Sequence, residues 1–243
     1  MGDTTDGGWL PEIEELHRRL ELARGLGGPE RIARQHAQGK LTVRERIDRL
    51  ADPGTFRPFM ELAGHGVYAE DGSLADFRPK ASVEGICKLD GRKVIVTGGD
   101  FTSRGGSGGG SGGGLGMELP ATRRALEWRL PFIRLLDAAG GSVRSFEEYG
   151  RTYLPDGNTM SAWDVKLLRA VPVVSAVLGS VAGLPAVNAC MAHFNVMVRG
   201  TSQLFPGGPP VVKAALGYDI TKDDLGGAPV SYTHLTLPTI LRV

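Results

Sequence analysis

Two short and nearly continuous apolar runs place the strongest limit on the fold of this chain. Residues 132–137 (FIRLLD) and 171–178 (VPVVSAVL) have the length of strands and show no alternation of polar and apolar residues. Strands that are buried on both faces have this composition. Helical patterns at 117–130 and 163–170 precede the two runs, so strands and helices alternate. The alternation predicts parallel strands joined by helical crossovers, which is an α/β fold.

Helix and turn signals predict an N-terminal helical arm followed by a hairpin. Residues 10–26 carry apolar side chains at helical spacing among charged ones, which predicts an amphipathic helix: Ile13, Leu16, Leu20 and Ala23. A second helical region is predicted over 31–51, with GKLT between two basic stretches. Asp90-Gly91 separates the extended segments 82–89 and 93–97, and such a pair favours a tight hairpin turn.

Composition excludes several classes of protein. The chain has 243 residues with 41% hydrophobic residues, enough for a large core in one domain or two small ones. Its 28 Lys and Arg residues balance 27 Asp and Glu residues, which gives no indication of a nucleic acid, membrane or polyanionic partner. Cys87 and Cys190 are far apart and form no CxxC or Cys/His cluster, so we expect neither disulfides nor a metal. The start lacks a signal segment, and no apolar run approaches the roughly 20 residues of a membrane span, so we expect a soluble, cytoplasmic protein.

Adjacent glycines follow the first apolar run. Gly140 and Gly141 stand where the predicted strand ends. Glycines at such a position let the main chain turn sharply and leave N–H groups unobstructed, where they can hold a developing oxyanion. By itself such a pair more often marks an ordinary strand-to-helix turn. The residues alone leave both interpretations open.

Several segments occur in an order that resembles a known family. They are GKLTVRERIDRLADPGTF (39–56), VEGICKLDGRKVIVTGGDFT (83–102), LLDAAGG (135–141), VPVVSAVLGSVAGLPA (171–186) and GGPPVVKAALGYDITKDDLGGA (207–228). Together they resemble the carboxyltransferase (beta) subunit of biotin-dependent acyl-CoA carboxylases, the family of propionyl-CoA and methylcrotonyl-CoA carboxylase. The resemblance implies a ClpP/crotonase-like spiral of β-β-α units over 57–228, preceded by the helical arm, 1–56.

The resemblance also implies that more sequence belongs to the protein. Family members contain two crotonase-like halves in one chain, and only the amino-terminal half is visible here. Residues 229–243 depart from the family directly after LGGA and resemble translated adapter sequence. We therefore expect a truncated chain with a non-family tail.

The reaction that the resemblance implies moves a carboxyl group from carboxybiotin to the α-carbon of an acyl-CoA. Biotin is held on a separate carrier protein or subunit, the partner is a biotin carboxylase, and the full-length protein is expected to form a homo-oligomer without a metal in this subunit. The thioester enolate and the biotin ureido oxygen are both oxyanions, and backbone N–H groups suit them. Gly140 and Gly141 match the family's oxyanion pair; which oxygen they hold and which acyl-CoA is used stay open.

Further candidates line the same predicted cavity. The second apolar run is expected to end in a turn over 179–183, where Ala182 and Gly183 are candidate substrate contacts; an apolar turn is the alternative. Gly105 and Gly106 begin a glycine-rich segment whose amides could meet CoA phosphates or the thioester. A surface loop is the alternative there, and the segment lacks the Lys and Ser/Thr ending of a P-loop.

Charged residues offer weaker candidates. Arg44, with Arg46 and Lys40, could bind CoA phosphates, and a solvated helix face is the alternative. His193 reads as a satisfied interior group, and Glu147 and Glu148 as a charged helix face.

Two other functions stay open. A crotonase-type enoyl-CoA hydratase or isomerase would require one of the two glutamates in the pocket. Alternatively, half a carboxyltransferase could serve as a non-catalytic CoA-binding or assembly module.

Overall fold

Three helices precede the first strand in the described part of the chain. The computed structural model describes residues 9–106, 119–140 and 157–234, and its first helices are α1 (Leu10–Arg24), α2 (Pro29–Ala37) and α3 (Val43–Leu50). The helical region predicted over 31–51 is thus two helices with GKLT between them. Gly39 has a φ of +70°, which ends the first, and Thr42 caps the second. The Thr42 hydroxyl accepts a hydrogen bond from the Glu45 N–H while the Glu45 carboxylate accepts one from the Thr42 N–H.

The strands form one large sheet and one separate hairpin. They are β1 (Arg57–Phe59), β2 (Gly64–Tyr68), β3 (Leu74–Pro79), β4 (Ser82–Leu89), β5 (Arg92–Gly99), β6 (Phe132–Ala138), β7 (Val173–Ala182), β8 (Phe194–Met197) and β9 (Gln203–Phe205). The large sheet has the order β1-β4-β5-β6-β7-β8, with β9 also paired to β7, and β2 pairs with β3. Pairing is antiparallel from β1 to β5 and parallel from β5 onward, which confirms the predicted parallel α/β layer.

Six further helices lie in the described part of the chain. They are α4 (Leu119–Trp128), α5 (Gly157–Leu168), α6 (Leu184–Cys190), α7 (Pro209–Leu216), α8 (Lys222–Gly226) and α9 (Ala228–His234). The hairpin at Asp90-Gly91 is confirmed, and both residues have a positive φ, as a type I′ turn requires. The turn predicted over 179–183 is wrong, because β7 runs on to Ala182. Its last residues pair with β9, a strand that comes from later in the chain.

The central strand β6 is buried on both faces, and this explains its continuous apolar run. On one face Ile133 and Leu135 pack with Val43 and Ile47 of α3. On the other face Phe132 packs with the helices that cross over the sheet. The arm helix α3 therefore belongs to the main core rather than lying apart from it.

A buried arginine interrupts the apolar run of β6. The Arg134 side chain is 2% exposed and donates to the Asp164 carboxylate at 2.5 Å and to the carbonyl oxygens of Asn188 and Met191. Burial raises the pKa of the Asp164 carboxyl above its ordinary value, and the Arg134 charge opposes that rise. The arginine joins α5 and the end of α6 to the central strand.

Candidate active site

The carboxyl ends of the parallel strands bring most of the predicted site residues together. β5, β6 and β7 end at Gly99, Ala138 and Ala182, and open parallel sheets bind their ligands at this edge. We define the strand-end cluster as the residues that stand at or after these ends: Gly105, Gly106, Gly140, Ala182 and Gly183. The sequence predicted all of them as site residues from separate segments of the chain.

Close backbone contacts surround the strand-end cluster. A Cβ atom added at Gly140 would lie 2.8 Å from the Ala182 carbonyl oxygen. One added at Gly106 would lie 2.4 Å from the Asp137 carbonyl oxygen, and the Ala139 N–H donates to the Gly105 carbonyl oxygen at 2.7 Å. The close approach of these backbones therefore requires residues without side chains.

Positive backbone dihedrals add a second requirement for glycine. The φ angles are +67° at Gly105, +69° at Gly106, +81° at Gly140 and +69° at Gly183. Residues with a Cβ atom adopt this region only at a cost of about 1–2 kcal/mol. The cluster is thus a specifically folded piece of main chain at the end of the sheet.

The backbone N–H groups of the cluster differ in whether they are already used. The Gly183 N–H donates to the carbonyl oxygens of Phe205 and Pro206 at 3.2 and 3.1 Å, and the Gly106 N–H donates to the Ser103 carbonyl oxygen at 3.0 Å. The Gly140 N–H has no acceptor among the residues that the structure describes. Gly140 is therefore an N–H donor that the cluster can offer to a ligand, whereas the N–H groups of Gly106 and Gly183 are used within the fold. Gly141 lies outside the described residues.

A buried ionic cluster that the sequence analysis missed surrounds the side chain of Asp137, which lies in β6 next to the strand-end cluster. The Asp137 carboxylate is fully buried and accepts hydrogen bonds from Gln35 Nε2 at 3.2 Å, Lys40 Nζ at 3.0 Å and an Arg46 guanidinium nitrogen at 2.8 Å. We call these residues the Asp137 cage. Its one sequence signal is a carboxylate inside the apolar run FIRLLDAAGG.

The cage corrects the prediction for the basic residues of the arm. The side chains of Arg46 and Lys40 are 6% and 10% exposed and are paired with Asp137, so they do not form a solvated helix face. Lys40 Nζ also lies 4.3 Å from the centre of the Phe101 ring. Arg44 donates to the Glu61 carboxylate at 3.1 Å, which accepts from Arg24 as well. Arg44 is thus held by an ion pair away from the strand-end cluster.

The conventional acid–base candidates do not join the cluster. His193 is exposed rather than interior, although its Nδ1 accepts a hydrogen bond from the Val173 N–H at 3.0 Å. Val173 is the first residue of β7 and Ala182 its last, so His193 stands roughly 30 Å from the strand-end cluster along the strand. Glu147 and Glu148 lie outside the described residues.

Two further features are absent from the part of the chain that the structure describes. Within them, no group of three or more His, Cys, Asp or Glu side chains is arranged to hold a metal ion. Likewise, none of the helices over 9–106, 119–140 and 157–234 is both long and apolar enough to cross a bilayer.

Comparison with known proteins identifies the family. The family model of the carboxyl transferase domain matches residues 34–235. The propionyl-CoA carboxylase carboxyltransferase subunit of Haloferax mediterranei is 35% identical over 217 residues, covering 89% of this chain and 41% of the relative. The biotin-dependent 3-methylcrotonyl-coenzyme A carboxylase beta1 subunit of Mycobacterium tuberculosis is 37% identical over 233 residues, with the same two coverages.

A solved structure shares the fold. One chain of the transcarboxylase 12S structure, a hexamer crystallised with methylmalonyl-coenzyme A and methylmalonic acid bound, superimposes with a TM-score of 0.75 at 28% identity, covering 95% of this chain and 43% of that one. The chain therefore spans less than half the length of these relatives, and its described part has the crotonase-like α/β architecture that the sequence predicted. On its sequence and its fold, the chain belongs to the carboxyl transferase domain family.

Proposed function

We propose that the chain is the amino-terminal half of the carboxyltransferase component of a biotin-dependent acyl-CoA carboxylase. In this proposal residues 1–56 are a helical arm and 57–228 a crotonase-like domain, while the expected tail, 229–243, lies within the family match as far as residue 235. The family match over 34–235 supports the proposal, and so does the coverage of 41% of each of the two carboxylase subunits.

The observation that carries the proposal is the Gly140 N–H. It has no acceptor within the described residues, and it stands among backbone segments that exclude side chains. In carboxyl transfer the N–CO₂ bond of carboxybiotin breaks, a C–C bond forms at the acyl-CoA α-carbon, and the α-proton passes to biotin. Negative charge develops on the thioester oxygen and on the ureido oxygen. We assign the Gly140 N–H, together with that of Gly141, to one of these oxygens.

Backbone donors suit this reaction because they do not reorganise as charge develops. A correctly aimed donor contributes about 3 kcal/mol to the stability of the transition state. Gly105, Gly106 and Ala182 then shape the approach to the donor, while Gly183 holds β7 against the Phe205 segment. We leave Arg44 out of the residues proposed to bind the CoA phosphates, since its guanidinium group is paired with the Glu61 carboxylate.

The second oxyanion needs donors that this chain does not supply in the proposal. We place them in a carboxyl-terminal half, on the same complete chain or on a neighbouring subunit of a homo-oligomer. Biotin, carried on a separate subunit that a biotin carboxylase loads, would enter between the two halves with its carboxyl group.

The test is carboxylation by the complete gene product together with its biotinylated partner. With ATP and ¹⁴C-bicarbonate, we expect label to enter at least one of acetyl-, propionyl-, butyryl- and 3-methylcrotonyl-CoA, and to enter none without biotin. Hydration of crotonyl-CoA in the absence of biotin would replace the proposal with a hydratase. CoA binding without either reaction would replace it with a binding or assembly module.

A further inference from the structure

We propose that Asp137 is a positioning residue for the strand-end cluster. Its carboxylate, held by the Asp137 cage, fixes the helical arm against the ends of β6 and β7 and thereby sets the geometry of the Gly140 N–H. This inference rests on the proposed function for its catalytic meaning. Its structural content can be tested without that function.

The cage joins parts of the chain that are distant in sequence. Gln35 belongs to α2, Arg46 to α3, and Lys40 to the segment between them, and they lie 91 to 102 residues before Asp137. Two cations surround one carboxylate, and no part of that carboxylate is exposed to solvent. A buried charge is costly unless it is paired and hydrogen-bonded. Asp137 therefore ties α2, α3 and the segment between them to β6.

Glycines let the surrounding backbone close on Asp137. A Cβ atom at Gly179 would lie 2.2 Å from Asp137 Oδ1, and one at Gly99 would lie 2.9 Å from the Asp137 carbonyl oxygen. Gly106 packs against the same carbonyl oxygen. The side chain and the main chain of Asp137 are thus both enclosed, so a shift of this residue has to move its neighbours.

Contacts lead directly from Asp137 to the proposed donor. Gly106 touches the Asp137 peptide, Gly105 accepts a hydrogen bond from the Ala139 N–H, and Ala139 precedes Gly140. Gly140 in turn packs on the Ala182 carbonyl group. Since closely packed backbones transmit small displacements, loss of the cage should loosen the hydrogen bonds that orient Gly140.

The experiment compares two substitutions that each remove a buried carboxylate charge at β6. Asp137→Asn removes it from the cage, and Asp164→Asn removes it from the Arg134 pair on the opposite face of β6. Hydrogen exchange of the 243-residue chain is measured under native conditions, with the global stability of each variant measured by urea. We expect the amides of Ala139 and Gly106 to exchange at least about tenfold faster in Asp137→Asn.

The control decides between local positioning and general destabilisation. In Asp164→Asn the same amides should exchange within about twofold of the rate in the unchanged chain. We expect this even if Asp164→Asn lowers the global stability as much as Asp137→Asn does. Equal acceleration in both variants, or none in Asp137→Asn, would overturn the proposal.

A further variant guards against failure of Asp137→Asn to fold. Gly179→Ala keeps every charge of the cage but places a Cβ atom against Asp137 Oδ1. We expect it to accelerate exchange at Ala139 and Gly106 as Asp137→Asn does. Normal exchange at both amides in a folded Gly179→Ala chain would contradict the proposed role of the carboxylate position.

Measurements of enzyme activity test the catalytic part of the proposal. In the complete carboxylase, Asp137→Asn should lower kcat by about tenfold or more with the acyl-CoA KM nearly unchanged, because an interaction specific to the transition state is lost. Asp164→Asn, corrected for folded protein, should keep its kcat. If the unchanged protein carries out no carboxylation, the proposed function fails, while hydrogen exchange still decides whether Asp137 positions the cluster.

Discussion

At the scale of single residues, the site consists of main chain rather than reactive side chains. Glycines occupy positions where both a positive φ and a close backbone contact exclude a Cβ atom. Within the described residues, the Gly140 N–H of the strand-end cluster has no acceptor. Chemistry at such a site depends on where backbone dipoles point, so small displacements should matter more than changes in charge.

The first prediction separates contact from conformational strain at Gly140. Gly140→Ala places a Cβ atom 2.8 Å from the Ala182 carbonyl oxygen, whereas Gly217 has nearly the same φ and nothing within 4 Å of an added Cβ. The positive φ should cost about 1–2 kcal/mol of folding stability in both variants, and Gly140→Ala must also displace the Ala182 carbonyl group. Only Gly140→Ala should also lower kcat of the complete carboxylase, by about tenfold or more. Equal kcat values for the two folded variants would contradict the assignment.

The sequence predicted which residues form the site better than it predicted whether their N–H groups are free. Gly105, Gly140 and Gly183 could be named because glycines after strands are visible in the sequence. Whether each N–H is free could not be seen, since the Gly183 N–H is taken by carbonyl groups of Phe205 and Pro206, which come from a later segment. The Asp137 cage was hidden for the same reason: its partners lie 91 to 102 residues away.

At the scale of elements, hydrophobic runs predicted strand type and turn chemistry predicted the hairpin. The strand β7 was cut short in prediction because Gly179 resembles a turn residue, and the pairing with β9 that extends it is a tertiary contact. The break between α2 and α3 could be read only in part. GKLT was visible as an interruption, but the reciprocal hydrogen bonds of Thr42 and Glu45 that start α3 are a matter of geometry.

The second prediction concerns this start of α3. Hydrogen bonds from His36 and from the Thr42 backbone lower the pKa of Glu45 to about 2 from its ordinary 4.5. A carboxyl with a lower pKa in the folded state stabilises the fold above its unfolded pKa, and this contribution is lost as pH falls toward the folded pKa. The side chains of both His36 and Glu45 are more than two-fifths exposed, so solvent screening keeps the effect to about 0.5–1 kcal/mol.

The measurement is urea denaturation of Glu45→Gln and of the unchanged chain from neutral pH down to about pH 2. We expect the unchanged chain to be the more stable one near neutral pH. The difference should shrink as pH falls from about 4.5 toward 2, because the wild-type carboxylate then takes up its proton. A difference that stayed constant over this interval would show that the Glu45 charge does not stabilise α3.

At the scale of the whole molecule, an apolar helix lies on the surface without burying any of its residues. α7 has no buried residue, and its Val211 and Leu216 are 58% and 64% exposed, next to the half-exposed Tyr218. Exposed apolar patches mark interaction surfaces. We expect this one to be covered in the complete carboxyltransferase.

The third prediction follows from that surface. The 243-residue chain should self-associate at micromolar concentrations, and replacing Val211 and Leu216 with Lys should shift it toward the monomer in sedimentation velocity. Replacing Glu12 of α1 with Lys, which shifts the net charge by the same two units without removing apolar surface, serves as the control and should leave the association unchanged. A monomeric chain at every concentration would contradict the expectation.

The central claim is that the Gly140 N–H holds an oxyanion of carboxyl transfer. The most direct measurement replaces the amide at Gly140 with an ester, which removes the N–H and keeps the shape of the chain, in the complete carboxylase made by in vitro translation. We predict that kcat falls by about a hundredfold and that the same replacement at Gly217, whose N–H donates to the Lys213 carbonyl oxygen at the end of α7, leaves kcat unchanged. An unchanged kcat in a folded enzyme with the ester at Gly140 would contradict the account.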